Sequence, residues 1–392
     1  MSNMSVDSSR LLCRLAELGT IGRDVDGRLV RLAASDADKL GRDRLVAWIE
    51  AAGLELAIDR IGNIFGIWAP DGTQDRAPLL LGSHIDTVID AGIYDGCYGV
   101  LSALEVIETL KGSGFVPSRP IALAAFTNEE GVRYAPDMMG SLVYAGGLDV
   151  GTALATAGTD GSLLGDELKR IGYAGDREPG FLTPHAYIEL HIEQGPVLER
   201  EGLSLGAVEN LQGISWQRVT IEGDANHAGT TPMTMRRDAG HASARVITFL
   251  RERAMASNTP TVATVGCMEF QPNAINVIPS KAIFTVDLRD PDEERLREEE
   301  AALARFEPVK FDERIVAAIE TAARARALPC RRMTSGAGHD AQMIARIAPS
   351  AMIFVPSKGG ISHNPREFTE NDDLVAGADI LLDVVTSLTE EK

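Results

Sequence analysis

Three histidines in this chain stand beside acidic residues in a way that suits metal-assisted chemistry. His84 closes the apolar run "LLLGSH", Asp86 follows two residues later, and Asp95 lies beyond in "YDG". Glu129 and Glu130 end a second apolar run, "IALAAFTNEE". His191 falls late in "AYIELHIEQ", and His363 follows "AMIFVPSKGGISH". Imidazole and carboxylate together suit a divalent ion such as zinc, manganese, cobalt or nickel. An aspartate can bridge two ions with its two oxygens, so a two-ion site is a natural arrangement. Without a cation, buried acids would carry a heavy desolvation cost. One of the paired glutamates could bind an ion while its neighbour takes a proton from water as general base. Asp86 could fix His84 by accepting a hydrogen bond from its far ring nitrogen; capping of a loop is the plainer alternative. Any one of these residues alone reads as an ordinary core or surface group. Their joint placement, each at the end of a strand-like run, is what points to a metal.

Elements of an α/β fold would position them. "SSRLLCRLAEL" and "DADKLGRDRLVAWIEAAG" carry apolar residues at helical spacing. "LELAIDRIGNIFGIWAP" reads as two short strands about a Gly-Asn turn. "APLLLGSH", the amphipathic helix "GVLSALEVIETLKGSG" and "PIALAAFTNEE" make a right-handed βαβ unit with parallel strands. Ligands in such sheets gather beyond the C-terminal strand ends, where the candidates fall. Adjacent strand residues face opposite ways, so Glu129 and Glu130 can share one site only if the chain leaves strand geometry, and Gly131 offers the exit. Near Gly206 the pattern changes to the alternation "LGAVENLQGISWQRVTIEG", expected of a half-exposed antiparallel sheet. The helix "RRDAGHASARVITFLRERAM", the strands "TVATVGCMEF" and "AIFTVDLRD" and the charged helix "PDEERLREEEAALARF" follow, a small split-βαβ unit. The expected fold is therefore α/β: a catalytic domain with a mostly parallel central sheet flanked by helices, residues 1–207 and 326–392, and an inserted α+β domain, residues 208–325.

Composition narrows the function class. A formal net charge of −19 opposes a nucleic-acid partner. The four cysteines, Cys13, Cys97, Cys267 and Cys330, form no metal or disulfide spacing, and Cys97 reads as packing. No apolar run approaches a membrane span and the N-terminus lacks a signal-peptide pattern, so a reducing cytoplasm is expected.

The stretches "GSHIDTV", "GIYDGCYGVLSALEV", "FTNEEGVRYAPDMMGS", "HIEQGPVLE", "DANHAGTTPM", "NAINVIPSKAIFTVDLR", "SGAGHDAQ" and "GGISHNPRE" resemble the metal-dependent amidohydrolases of the M20 peptidase superfamily. "HIEQG" makes them similar to the hydantoinase/carbamoylase branch, because M20 peptidases usually carry an acidic ligand where His191 stands. The resemblance implies two divalent ions, one on His84 and His191, the other on Glu130 and His363, with Asp95 bridging. It implies Glu129 as general base and Asp86 behind His84. Gln194, His227, Asn276 and Arg289 match the branch's substrate contacts, and Gly360 could add a backbone N–H. His227 would reach across a homodimer and polarise the scissile carbonyl, while Arg289 and Asn276 would bind the substrate carboxylate. The inserted domain would serve dimerisation and act as a lid. Plainer alternatives are a salt bridge of Arg289 with Asp287 or Asp290 and a turn role for Asn276. His339 and Asp340 read as support for the site, with helix capping the alternative for Asp340. The expected reaction is hydrolysis of the ureido C–N bond of an N-carbamoyl-L-amino acid to amino acid, carbon dioxide and ammonia. Allantoate amidohydrolase and β-ureidopropionase are the nearest alternatives. An M20 aminoacylase or peptidase and a metal-free binding protein stand further off.

Overall fold

A computed structural model describes residues 4–256, 259–292, 294–296, 305–306, 309–335 and 337–390. The chain begins with helices α1 (Ser8–Leu18) and α2 (Asp36–Ala51), whose first turns are capped by the side chains of Asp7 and Ser35. Strands β1 (Glu55–Ile58) and β2 (Ile64–Trp68) form an antiparallel pair. In their turn, Asp59 accepts from the N–H groups of Ile61 and Asn63. The βαβ unit follows: β3 (Leu79–His84), α3 (Cys97–Ser113) and β4 (Ile121–Phe126), with the strands parallel and His84 level with Phe126. Helix α3 is buried nearly all round rather than on one face, because β3 lies on one side and α1 and the C-terminal helix on others. Next come α4 (Met139–Tyr144), α5 (Val150–Leu154), α6 (Leu164–Ile171), β5 (Ala186–Ile192), α7 (Val197–Glu201) and β6 (Leu205–Leu211).

The chain then builds a second sheet: β7 (Gly213–Glu222), α8 (Ala239–Ala256), β8 (Val262–Thr264), β9 (Met268–Gln271), β10 (Lys281–Asp290) and β11 (Arg305–Phe306). The strand expected over "TVATVGCMEF" is two short ones, both antiparallel to β10. One face of this sheet carries a core of Phe284, Val286, Leu288 and Leu296, with Val246 and Leu250 of α8 packed against it. On the other face Trp216, Arg218, Thr220 and Glu222 are exposed, the alternation seen in the sequence. Of the charged helix expected over "PDEERLREEEAALARF", residues 297–304 lie outside the described residues.

After β12 (Val309–Lys310) the chain returns to the first sheet through α9 (Glu313–Ala325), β13 (Cys330–Ser335), α10 (Asp340–Ile344), β14 (Ser350–Val355) and α11 (Asn371–Glu390). This sheet is mixed, in the order β1-β2-β4-β3-β5-β14-β6-β12, with β13 also on β6. Its centre, β4-β3-β5-β14, is parallel and buried on both faces.

The chain divides into residues 1–209 with 311–392 and an inserted unit, 210–310. The expected return at residue 326 is therefore too late. Helix α9 packs on α11, β13 and β14, so it belongs to the larger unit. Its apolar stripe, including Ile315, Val316 and Ile319, looks the same in sequence whichever core receives it. No helix of the described residues is long and apolar enough to cross a membrane.

Candidate metal centre

Four parallel strands deliver the expected ligands to one edge. β3 ends on His84, and His191 is the penultimate residue of β5, level with Phe354 near the end of β14. The two imidazoles stand with their centroids 6.3 Å apart. The main chain passes between them at Gly96, whose N–H donates to His191 Nε2 (3.1 Å). A Cβ at Gly96 would lie 2.4 Å from His84 Nε2, so only glycine fits there.

Glu129 and Glu130 share the site because the chain turns sharply past β4. Asn128 takes a left-handed conformation (φ 58°) and Gly131 another (φ 65°). The expected exit at Gly131 is thus half the turn; Asn128, held by bonds from its Nδ2 to the carbonyls of Tyr134 and Pro136, is the other half. Asp86 supports this turn directly. Its Oδ1 accepts from Glu129 N–H and its Oδ2 from Glu130 N–H, both at 3.2 Å. The far nitrogen of His84 instead donates to the main-chain carbonyl of Asp86 (3.0 Å), with the Asp86 carboxylate 3.8 Å away. So Asp86 does sit behind His84, but its carboxylate mainly holds the two glutamates.

Asp95 occupies the centre. Its Oδ1 faces His84 Nε2 (3.6 Å) and His191 Nε2 (3.2 Å), and its Oδ2 faces His363 Nε2 (3.4 Å). His363 Nε2 is also 3.4 Å from Glu130 Oε2, and His84 Nε2 is 3.4 Å from Glu129 Oε2. In His84 and His191 the Nδ1 atoms donate to carbonyls, which leaves each Nε2 an acceptor on the Asp95 side of its ring, that of His191 meeting the Gly96 N–H. Burial by itself would push His84 down, but Glu129 and Asp95 outweigh it and hold it well above its ordinary value. Burial would raise Asp95, yet His191 and His84 hold it well below the carboxylate range. For Glu129 and Glu130 burial wins, reinforced by neighbouring acids, and both sit well above that range. Glu130 Oε1 is buried without a partner. A convergent set of lone pairs with an orphaned carboxylate oxygen fits divalent cations. His84–Asp95–His191 and Asp95–Glu130–His363 each place their ligand atoms within 4.8 Å of one another. A third grouping, Glu189–His191–His339, is already satisfied on the acid: Glu189 accepts from Ser83 Oγ, Ala341 N–H and Tyr187 Oη.

Other expected residues are placed as follows. Gln194, in a left-handed conformation (φ 55°), donates from Nε2 to Asp95 Oδ2 (2.9 Å), and its Oε1 is buried without a partner. The expected Gly360 N–H is not turned outward; it donates to Ser357 O (2.8 Å) and closes a tight turn. His339 lies edge-on to His191 (centroids 4.6 Å). Asp340 is not a cap: His339 holds that position, and Asp340 is the buried first residue of α10. Glu367 was not singled out in the sequence reading. It is 6% exposed and its Oε1 accepts from the N–H groups of Tyr94 (3.1 Å) and Asp95 (3.3 Å).

In the inserted unit, His227 is exposed and its Nδ1 accepts from Gly229 N–H (3.0 Å). A neutral ring therefore carries its proton on Nε2, ready to donate. The His227–Val277 bridge prolongs the β7–β10 ladder beyond Glu222–Lys281 and places exposed Asn276 beside His227. Arg289 lies toward the other end, opposite Ile214, with its guanidinium on Asp287 (2.7 Å). The eight residue-to-residue steps from Lys281 to Arg289 alone span about 26 Å of strand. Asp290, the other expected partner of Arg289, is held by Arg295 and Thr261.

The sequence profile of Peptidase family M20/M25/M40 matches residues 80–387, and the chain belongs to that family. It is similar to an N-carbamoyl-L-amino-acid amidohydrolase of Rhizobium meliloti, at 40% identity over 99% of this chain and 98% of the relative. It is similar also to an allantoate amidohydrolase of Escherichia coli, at 36% identity over 96% of each chain. A solved amidase of the hydantoinase/carbamoylase family from Burkholderia multivorans superposes with a TM-score of 0.92 at 41% identity, covering 99% of both chains. Within its family the chain is an amidohydrolase of the hydantoinase/carbamoylase type, acting on linear amide C–N bonds.

Proposed function

We propose that the protein hydrolyses the ureido C–N bond of an N-carbamoyl-L-amino acid with two divalent ions per subunit. The observation that carries the reading is the division of Asp95: one oxygen faces His84 and His191, the other faces His363, which also meets Glu130. His84 and His191 would hold one ion and Glu130 and His363 the other, with Asp95 shared; zinc, manganese, cobalt and nickel all suit these donors. Divalent ions there supply Lewis acidity and make water a usable nucleophile near neutral pH.

The chain's own groups do the rest. Glu129, buried and raised, takes a proton from water as the water attacks the carbamoyl carbon, then returns it to the leaving nitrogen. One water is consumed; the carbamic acid released decays to carbon dioxide and ammonia. His227 donates from Nε2 to the developing oxyanion. Arg289 binds the substrate carboxylate once released from Asp287, and Gln194 holds Asp95 while offering Oε1 to the substrate. The β7–β10 ladder separates His227 and Asn276 from Arg289 by more than a small substrate can span. This supports a homodimer in which His227 and Asn276 serve the partner's site and Arg289 its own, with Asn276 grouped with His227.

Allantoate is the second reading, because the Escherichia coli relative with that named activity is nearly as similar as the carbamoylase. Ammonia release from N-carbamoyl-L- and D-amino acids, N-carbamoyl-β-alanine, allantoate and N-acetyl amino acids separates them. The proposal expects the highest kcat/KM on an N-carbamoyl-L-amino acid; a preference for allantoate would replace it.

A further inference from the structure

The segment between β14 and α11 leaves and re-enters the fold at one point. Lys358 N–H donates to Phe368 O (2.8 Å), and Thr369 Oγ to Pro356 O (2.8 Å), so the neck of the loop is closed. His363 sits within this loop in a left-handed conformation (φ 51°), with its side chain 48% exposed. Such a backbone is costly for a non-glycine residue and persists only where its surroundings hold it. Yet few contacts steady His363 itself: the groups around its Nε2 are Asp95, Glu130 and Gln194, all at 3.4 Å.

Glu367 supplies what His363 lacks. It is buried, and its N–H donates to Asn364 O (2.9 Å), which folds the loop back on the residue after His363. Its Oε1 takes the N–H groups of Tyr94 and Asp95. Among the described residues, the hydrogen bonds joining this loop to segment 92–95 both end on that one oxygen. Room is cleared for it: a Cβ at Gly92 would lie 2.1 Å from Glu367 Oε1. Oε2 is buried with no partner, so a second carboxylate oxygen is not what the tie requires.

We propose that Glu367 is a positioning residue that fastens the His363 loop to the backbone of Asp95, so that the second cation position exists only while this tie is made. The inference rests on the two-ion reading and adds to it an unequal dependence. The first position takes its two imidazoles from strands β3 and β5 and depends on the tie only through the shared Asp95. The second needs His363 brought against Asp95 and Glu130. Loss of the tie therefore weakens the second ion, which loses both His363 and the setting of Asp95, more than the first. Glutamine keeps the acceptor oxygen and places its amide where Oε2 has no partner, so Glu367→Gln preserves the tie and Glu367→Ala removes it. Gly92→Ala displaces the carboxylate while leaving residue 367 a glutamate.

The test is calorimetric titration of the full-length, metal-stripped protein with Co2+, followed in parallel by the visible cobalt absorption spectrum, with thermal melting to establish folding. Wild type is expected to take two ions. Glu367→Ala and Gly92→Ala are expected to keep the first and lose about 10–100-fold in affinity for the second, the usual effect of removing an outer hydrogen-bonding partner of a ligand. Glu367→Gln is expected to restore both. Equal weakening of both ions in folded variants, unchanged binding in both Glu367→Ala and Gly92→Ala, or failure of a folded Glu367→Gln to restore the second ion overturns the proposal while leaving the two-ion reading intact. A wild-type protein that takes fewer than two ions overturns both.

Discussion

Replacing Asp86 by asparagine separates two accounts of that residue. In the structure its two oxygens receive two main-chain N–H groups, Glu129 on one and Glu130 on the other, in a site where Asp86 is 2% exposed. Asparagine has one acceptor oxygen. Whichever way its amide turns, one of the two N–H groups meets an N–H2 and is left buried without a partner. A hydrogen bond to a charged group contributes about 1.5–3 kcal/mol, and the orphaned donor adds its desolvation penalty. The surviving bond also becomes neutral and weaker. Together these predict that Asp86→Asn destabilises the protein by about 2–4 kcal/mol. They also predict displacement of the Glu129–Glu130 turn, with kcat/KM falling about 10–100-fold, as for other residues that orient ligands. Had Asp86 acted only by receiving a bond from His84, asparagine could accept it equally well and the cost would be slight. Urea unfolding gives the first quantity and steady-state ammonia release the second. A change under about 0.5 kcal/mol with kcat/KM within threefold of wild type would refute the assignment, since that is the range of an uninvolved substitution.

Glu129→Gln is expected to lower kcat by about 100- to 10,000-fold, the contribution of a positioned base, while leaving ion content unchanged by elemental analysis. Mixing subunits of Glu129→Gln and His227→Ala is expected to restore about a quarter of wild-type activity, because half the random dimers then hold one intact site of two; no recovery on mixing would remove His227 from the partner's site. Chelation is expected to abolish turnover, and Zn2+, Mn2+, Co2+ or Ni2+ to restore it. Ion affinity should strengthen with pH: His84 is held above its ordinary value, so a proton remains on the ring to higher pH and must leave before an ion binds. Titrations that release protons at pH 6 and few at pH 9 would agree with this; a pH-independent affinity would not.

Much of the candidate site was legible because its candidate ligands obey a rule about strand ends. His84, Glu130 and His191 each close or follow an apolar run, and parallel topology brings those ends together. What was not legible depends on contacts that spacing cannot encode. Asp86 is two residues from His84 in sequence, which suggests a partner; its bonds to Glu129 and Glu130 arise only because β4 runs beside β3. Glu367 meets the backbone of residues 94 and 95, a contact with no periodic signature. Asn128 takes a conformation that glycine advertises more plainly than asparagine, and the glycine in this turn is Gly131, three residues further on. The N–H of Gly360 was spent on a turn that "SKGGIS" does not announce.

The ten-rung β7–β10 ladder also governs how the protein can change. Within one chain, the surroundings of His227 and of Arg289 share no neighbours and lie tens of ångströms apart, about 26 Å along β10 alone. Substitutions at the two ends should therefore add in their effects on folding stability. If the two ends meet at one substrate only when two chains associate, the same pair of substitutions should interact in catalysis. A chain of this kind can test new residues at either end without compounding its folding defects, while selection sees the two ends as a single pocket.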